Sequence, residues 1–190
     1  MVVGLTGRSG AGKSVAGTVF AEHGWYVIDC DAEARAATDW GDCLAAIRRL
    51  LGDDVFTNDV LDRALVAKAV FSDLKLKSEY EATVFPFILK RINELIRGHS
   101  GNGTLLNAPT LFESGANKLC EKIIAVTADD DTLTRRIISR DNLSRENALL
   151  RLSAQKSDEF FREHADIIID NDGDEQAFLA KCSDIAKQLK

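Results

Sequence analysis

The segment Gly7-Arg8-Ser9-Gly10-Ala11-Gly12-Lys13-Ser14 constrains this 190-residue chain more than any other. An apolar run precedes it and Val15-Ala16-Gly17-Thr18-Val19-Phe20 follows, so it is expected to join a buried strand to a helix. It satisfies the pattern G-x-x-x-x-G-K-S/T. Its glycines let the backbone turn successive N–H groups inward, and the following helix points its positive end at the same spot. The pattern assigns Gly10, Ala11, Gly12, Lys13, Ser14 and Val15 to phosphate binding. Lys13 reaches the β- and γ-phosphates as a point charge, and the Ser14 hydroxyl ligates Mg2+. The bare alternative is a glycine-rich turn with no ligand, and the strand-before, helix-after context speaks against it. The chain is expected to bind a nucleoside triphosphate.

Five short apolar runs read as strands buried on both faces: Val2–Thr6, Trp25–Asp29, Thr104–Asn107, Lys122–Thr127 and Asp166–Asp170. Helical patterns separate them, which predicts an α/β fold with a five-stranded parallel sheet and right-handed crossovers. Ser14–Glu22 reads as a helix closed by Gly24, and a final amphipathic helix is expected over Asp174–Leu189. The connection from Ala32 to Gly103 is too long for a simple crossover. It reads as helices over Cys43–Leu51, Leu61–Phe71 and Leu74–Arg97, with Pro86 expected to kink the last. The connection from Asp129 to Ala165 reads as helix, break at Asp141–Ser144, and helix, in the manner of a mobile lid. The expected organisation is one domain over 1–190: a core of about 1–31, 101–128 and 165–190, a helical acceptor-binding insertion of about 32–100, and a lid of about 129–164.

Composition narrows the partners. Hydrophobic content of 45% and charged content of 28% suit a globular protein, and no apolar run approaches a membrane span. The net charge of -6 argues against nucleic acid as a partner. Yet six basic and two acidic residues lie between Thr134 and Lys156, which suits a small polyanion bound at one place. Cys30, Cys43, Cys120 and Cys182 are scattered with no C-x-x-C pair, so reduced thiols in the cytoplasm are expected. His23, His99 and His164 have no metal-ligand spacing.

Ligands of a doubly wound sheet bind beyond the carboxyl ends of its strands. The second strand ends in Ile28-Asp29-Cys30-Asp31. Alternation along an extended segment would give Asp29 and Asp31 one direction, where one carboxylate accepts a proton and the other orients it or organises Mg2+ waters. Capping of the next helix is the other reading for Asp31. Asn107 stands where a carboxylate near the metal would be expected, and offers a water-mediated contact only. Glu113 either binds substrate or simply sits on an exposed loop. Arg136 and Arg140 are four apart, so they share a helical face from which to neutralise a transferring phosphoryl group. A solvated face paired with Asp129–Asp131 is the alternative for any single arginine.

These pieces together resemble the dephospho-coenzyme A kinase family. The resemblance runs through the glycine loop, Val27-Ile28-Asp29-Cys30-Asp31-Ala32-Glu33-Ala34-Arg35, Leu61-Asp62-Arg63-Ala64-Leu65 and Phe85-Pro86. It continues through Ala108-Pro109-Thr110-Leu111-Phe112-Glu113, Arg140-Asp141-Asn142-Leu143-Ser144, Arg151–Gln155 and Ile169-Asp170-Asn171-Asp172-Gly173. It implies transfer of the ATP γ-phosphate to the ribose 3′-hydroxyl of dephospho-coenzyme A, with Mg2+ held mainly by phosphate oxygens and Ser14. It further implies Asp31 as general base, Asp29 as its support and Arg63 near the acceptor. Arg140 would clamp ATP phosphates, and Asn171 would lie near the adenine. Three positions depart from the family pattern: Phe85 replaces a usual histidine, Asn107 a usual acid and Thr110 a usual leucine. Two rival readings are a nucleoside monophosphate or small-metabolite kinase, and a nucleotide-binding protein without catalysis.

Overall fold

In the computed structural model, which describes residues 1–189, the chain opens with β1 (Val2–Gly7), α1 (Lys13–Glu22) and β2 (Tyr26–Asp29). Next come α2 (Cys30–Thr38), α3 (Gly41–Leu51), β3 (Phe56–Thr57), β4 (Val60–Leu61), α4 (Arg63–Phe71) and α5 (Leu74–Gly98). The remainder is β5 (Thr104–Asn107), β6 (Lys122–Thr127), α6 (Asp130–Asp141), α7 (Arg145–Ser153), α8 (Asp158–His164), β7 (Ile167–Asp170) and α9 (Glu175–Gln188). The residues fall into two compact units, one of Met1–Asp29 with the segment from Ile96 onward, the other of Cys30–Leu95.

The first unit holds a parallel sheet ordered β2-β5-β1-β6-β7. In register, Gly4 of β1 lies opposite Leu106 on one side and Ile123 on the other. The apolar runs are continuous because helices cover both faces: Val3, Leu5, Leu105, Leu106, Ile124 and Val126 are all fully buried. Each of the five expected strands is present within one residue of its expected ends. The chain leaves β1 for β2 on one side of the sheet and leaves β6 for β7 on the other. A crevice therefore opens beyond the carboxyl ends of β1 and β6, where the glycine loop sits.

Local chemistry sets the helix ends. Gly24, at φ +79, closes α1 with its N–H on the Ala21 carbonyl. Asp129 caps α6 by accepting from Thr132 N–H at 2.7 Å, and that bond holds its carboxyl below the usual range. Ser144 and Ser157 cap α7 and α8 in the same way. The expected break after Asp141 is a left-handed residue, Asn142. Trp25 packs edge-on to Phe20 and donates its indole N–H to the Ala186 carbonyl, tying α9 to the sheet.

The second unit corrects one expectation. A helix was expected from Leu61, but Leu61 pairs with Phe56 in a hairpin, Thr57 pairs with Val60, and Asn58 and Asp59 turn with φ +50 and +63. Such a two-residue turn needs positive φ at both positions, which Asn and Asp tolerate. The helix then starts at Arg63 because the Asp62 carboxylate accepts from Ala64 and Leu65 N–H. This hairpin was not foreseen, nor was α8 of the first unit as a separate helix. α5 continues through Pro86 to Gly98. The four cysteines are free thiols. Burial pushes the Cys120 thiol up to about 12 and that of Cys182 up to about 11. Among the described residues, no helix is long and apolar enough to cross a membrane.

Candidate active site

The glycine loop is held by its own backbone first. Ala11 N–H donates to the Arg8 carbonyl at 3.2 Å, closing a turn whose third residue, Gly10, has φ +84. A type II turn requires this of its third residue. A Cβ on Gly7 would stand 2.1 Å from the Val126 carbonyl oxygen, and one on Gly12 would stand 2.5 Å from Asn171 Nδ2. Both positions lie at positive φ, so glycine is demanded twice over. Gly12 precedes α1 without a side-chain cap and no acidic residue occupies the first turn, which leaves the positive end of that helix turned to the loop. Lys13 folds back over the loop, its Nζ donating to the Gly7 and Arg8 carbonyls at 2.7 and 3.0 Å. Ser14 and Val15 are exposed at the same helix end.

Side chains from distant segments brace this loop. Asn171, just past β7, is buried and donates through Nδ2 to the Ala11 carbonyl at 2.7 Å. Arg136 of α6 donates to the Gly10 carbonyl at 3.3 Å and reaches Asn171 Oδ1 at 3.5 Å. Gly10, Gly12, Val15, Arg136, Asn171 and Phe178 help line a cavity of about 310 Å3 beside the loop. Its size is that of a small-ligand site, with an apolar wall and a few polar groups.

Arg140 lies at the end of α6. The Asp141 carboxylate accepts from its Nε and Nη2, both at 2.8 Å, and a third bond arrives from Arg151 Nη1 at 2.6 Å. The Arg140 bond chiefly holds the Asp141 carboxyl below the usual range, and Asp141 in turn raises Arg140. Arg140 Nη2 is also 3.5 Å from the Ser9 hydroxyl. The structure therefore brings Arg136 and Arg140 to the loop from one helix, as their four-residue spacing suggested.

Three braces had no signal in the sequence pattern. Arg8, inside the loop, is buried, pairs with Asp130 and donates to the Leu152 carbonyl at 3.5 Å, while its Nε finds no partner. Gln155 accepts from Ser9 N–H at 2.9 Å. Arg162 of α8 donates to Asp158 and to Asp170, both at 2.6 Å, and Asp170 also accepts from the Thr127 hydroxyl at 2.9 Å. That network joins α8 to the ends of β6 and β7, next to Asn171. The Arg8 and Gln155 contacts link residues 122 and 146 positions apart, so no local spacing reveals them, whereas Arg162 and Asp158 are an i,i+4 pair within α8.

Other elements carry the remaining expected residues. Asp29 ends β2, in register with Asn107 of β5. The alternation expected to align Asp29 with Asp31 stops at Asp29, because α2 begins at Cys30 and puts Asp31 in its first turn. Helical residues turn about 100° each, so two residues no longer restore the direction. An acid in that first turn suits the helix dipole, although Asp31 is the second residue of α2 and not its N-cap. Glu113 is exposed on the turn after β5. Arg63, in the helical unit, donates to the Arg35 carbonyl at 2.9 Å and to Asp39 at 2.8 Å. It borders a mainly apolar cavity of about 340 Å3 with Val66, Tyr80, Val84 and Phe85 in its walls and Arg35 and Lys77 at its margin.

A central strand running into this loop, parallel strands in this order around it and arginines converging from a following helical segment define the P-loop kinase fold. Residues 1–177 match the dephospho-CoA kinase family model, and the chain belongs to that family. A dephospho-CoA kinase of Thermobifida fusca is 35% identical over 191 residues, covering 99% of this chain and 96% of the relative. The dephospho-CoA kinase of Mycobacterium tuberculosis is 32% identical over 186 residues, which is 96% of this chain and 46% of the relative. The chain thus spans about half the length of the mycobacterial relatives it matches. A solved structure from Thermus thermophilus is similar with a TM-score of 0.87 at 29% identity, covering 100% of this chain and 98% of that one.

Proposed function

We propose that this chain transfers the γ-phosphate of ATP to the ribose 3′-hydroxyl of dephospho-coenzyme A. The observation that carries the reading is a complete phosphate loop, braced by Asn171 and Arg136, in a chain that matches the family over residues 1–177. Lys13 releases the Gly7 and Arg8 carbonyls for the β- and γ-phosphates, and the remaining inward N–H groups of Gly10–Val15 take phosphate oxygens. Asn171 and the cavity beside Gly12 serve the nucleoside end. Arg140 exchanges part of its pairing with Asp141 for charge developing on the transferred phosphoryl group. Asp31 takes the proton of the 3′-hydroxyl as its oxygen attacks phosphorus and the bond to ADP breaks, with Asp29 in support. Arg63 and the apolar cavity of the helical unit hold the acceptor, the guanidinium toward its phosphates and the apolar wall toward its pantetheine arm. Glu113 also serves the acceptor.

The donor set fits Mg2+ bound through substrate. Among the described residues, no three His, Cys, Asp or Glu side chains gather as a metal cage, and Ser14 presents a single exposed hydroxyl at the loop. Mg2+ characteristically keeps waters and phosphate oxygens beside one or two protein oxygens, and when bound it supplies neutralisation of phosphate charge. The four free cysteines support a reducing compartment, the cytoplasm.

The test supplies Mg2+-ATP with dephospho-coenzyme A and, separately, with nucleoside monophosphates, and follows ADP release. ADP should appear with the coenzyme precursor. Turnover of a monophosphate but not of the precursor overturns the reading.

A further inference from the structure

Gln155 ends the Arg151–Gln155 segment and is one of the braces of the glycine loop. Gln155 lies just past α7, where its own N–H donates to the Leu152 carbonyl at 3.1 Å and fixes its backbone. Its side-chain oxygen reaches across 146 positions to accept from Ser9 N–H at 2.9 Å. The neighbouring Arg8 grips the same turn through the Leu152 carbonyl. From α7, Arg151 binds Asp141, Asp141 holds Arg140, and Arg140 approaches the Ser9 hydroxyl. With the chain itself joining Arg151 to Gln155, these contacts close a ring through Ser9, Gln155, Arg151, Asp141 and Arg140.

We infer that Gln155 is a positioning residue that sets the Ser9 peptide of the phosphate loop, and with it the approach of Arg140, for a bound triphosphate. A carboxamide suits this place for a chemical reason. The loop is built to attract anions, so an acceptor of its backbone N–H must be neutral, or it opposes the phosphates it helps to seat. Glutamate would accept the same bond and spoil the site. Methionine would keep the length and remove the acceptor. The inference rests on the nucleotide half of the proposed function and is indifferent to the acceptor.

The test measures ATP affinity by calorimetry on the full chain as wild type, Gln155→Met and Gln155→Glu, alongside the thermal midpoint without nucleotide. Loss of one neutral hydrogen bond should weaken ATP about 3- to 10-fold in Gln155→Met. A negative charge beside the loop should weaken it about 10- to 100-fold in Gln155→Glu, and more at low than at high salt. The two variants should differ little in thermal midpoint. Equal ATP affinities in Met and Glu variants, or affinities within twofold of wild type in both, overturn the inference. Hydrogen exchange at the Ser9 amide of the unmodified chain gives a second reading that needs no variant. Protection is expected, and exchange at the rate of an open amide overturns the inference. Both measurements stand even if dephospho-coenzyme A fails as acceptor, so the two failures are distinguishable.

Discussion

Asn171 offers the sharpest separation between a residue that touches nucleotide and one that builds the site. Its Nδ2 is 2.7 Å from the Ala11 carbonyl, and the side chain is 8% exposed. Truncation to Ala leaves that carbonyl, in a fully buried residue, without its donor. Stranding a buried acceptor costs about 1–3 kcal/mol. The cavity of about 310 Å3 beside Asn171 lets water reach the vacated place, which puts Asn171→Ala at the lower end of that range. Asn171→Leu has similar size and no donor, excludes that water and presses a branched carbon toward Gly12, so it falls at the upper end. For a chain of this length about 1 kcal/mol lowers the melting midpoint by about 2–4 °C. Without nucleotide, the midpoint should therefore fall by about 2–6 °C in Asn171→Ala and about 6–12 °C in Asn171→Leu. ATP affinity should fall about tenfold in both as the loop loses its brace, since about 1.4 kcal/mol is tenfold in binding. Differential scanning fluorimetry with and without ATP reads the first, calorimetry the second. A residue that met only the adenine would lower ATP affinity and leave the nucleotide-free midpoint unchanged. That result refutes the bracing role.

Asp31→Asn should bind ATP normally and lose about 10²-fold or more in turnover, the size expected for a general base, whereas Lys13→Ala should impair both. Calorimetry and steady-state ADP release separate them, and unchanged turnover in Asp31→Asn removes Asp31 from the mechanism. Arg162 holds the Asp170 carboxyl below its usual range, so their pairing stabilises the fold above about pH 4 and is lost as pH falls further. Both partners are nearly half exposed, 44% and 47%, so solvent screening limits the pair to about 1 kcal/mol or less. Arg162→Met should therefore melt lower than wild type by up to about 2–4 °C from pH 5 to 8. The gap should narrow below pH 4, and a gap independent of pH would contradict the assignment.

Much of the sheet and of the nucleotide loop was legible because both depend on near neighbours. A strand buried on two faces must be apolar throughout, as Val3, Leu5, Ile124 and Val126 show. A loop that turns on itself needs glycine where φ is positive, as at Gly7, Gly10 and Gly12. The helical segment of 30–95 was less legible. Its hairpin rests on Asn58 and Asp59 instead of the stronger Asn-Gly signal, and α2 begins directly at the end of a strand, where alternation gives no warning of the change.

What the sequence determined by itself is therefore the α/β class, the strands, the phosphate loop and the membership of Arg136 and Arg140 in one helical face. Tertiary structure alone decided which side chains hold that loop in shape. Asn171, Gln155 and Arg8 join residues 160, 146 and 122 positions apart, through Ala11, Ser9 and Asp130 respectively. Periodicity records how a segment faces its core, but a hydrogen bond between remote segments leaves no period in either. Its partners become visible only once the parallel sheet has carried the ends of β1, β6 and β7 to the same edge.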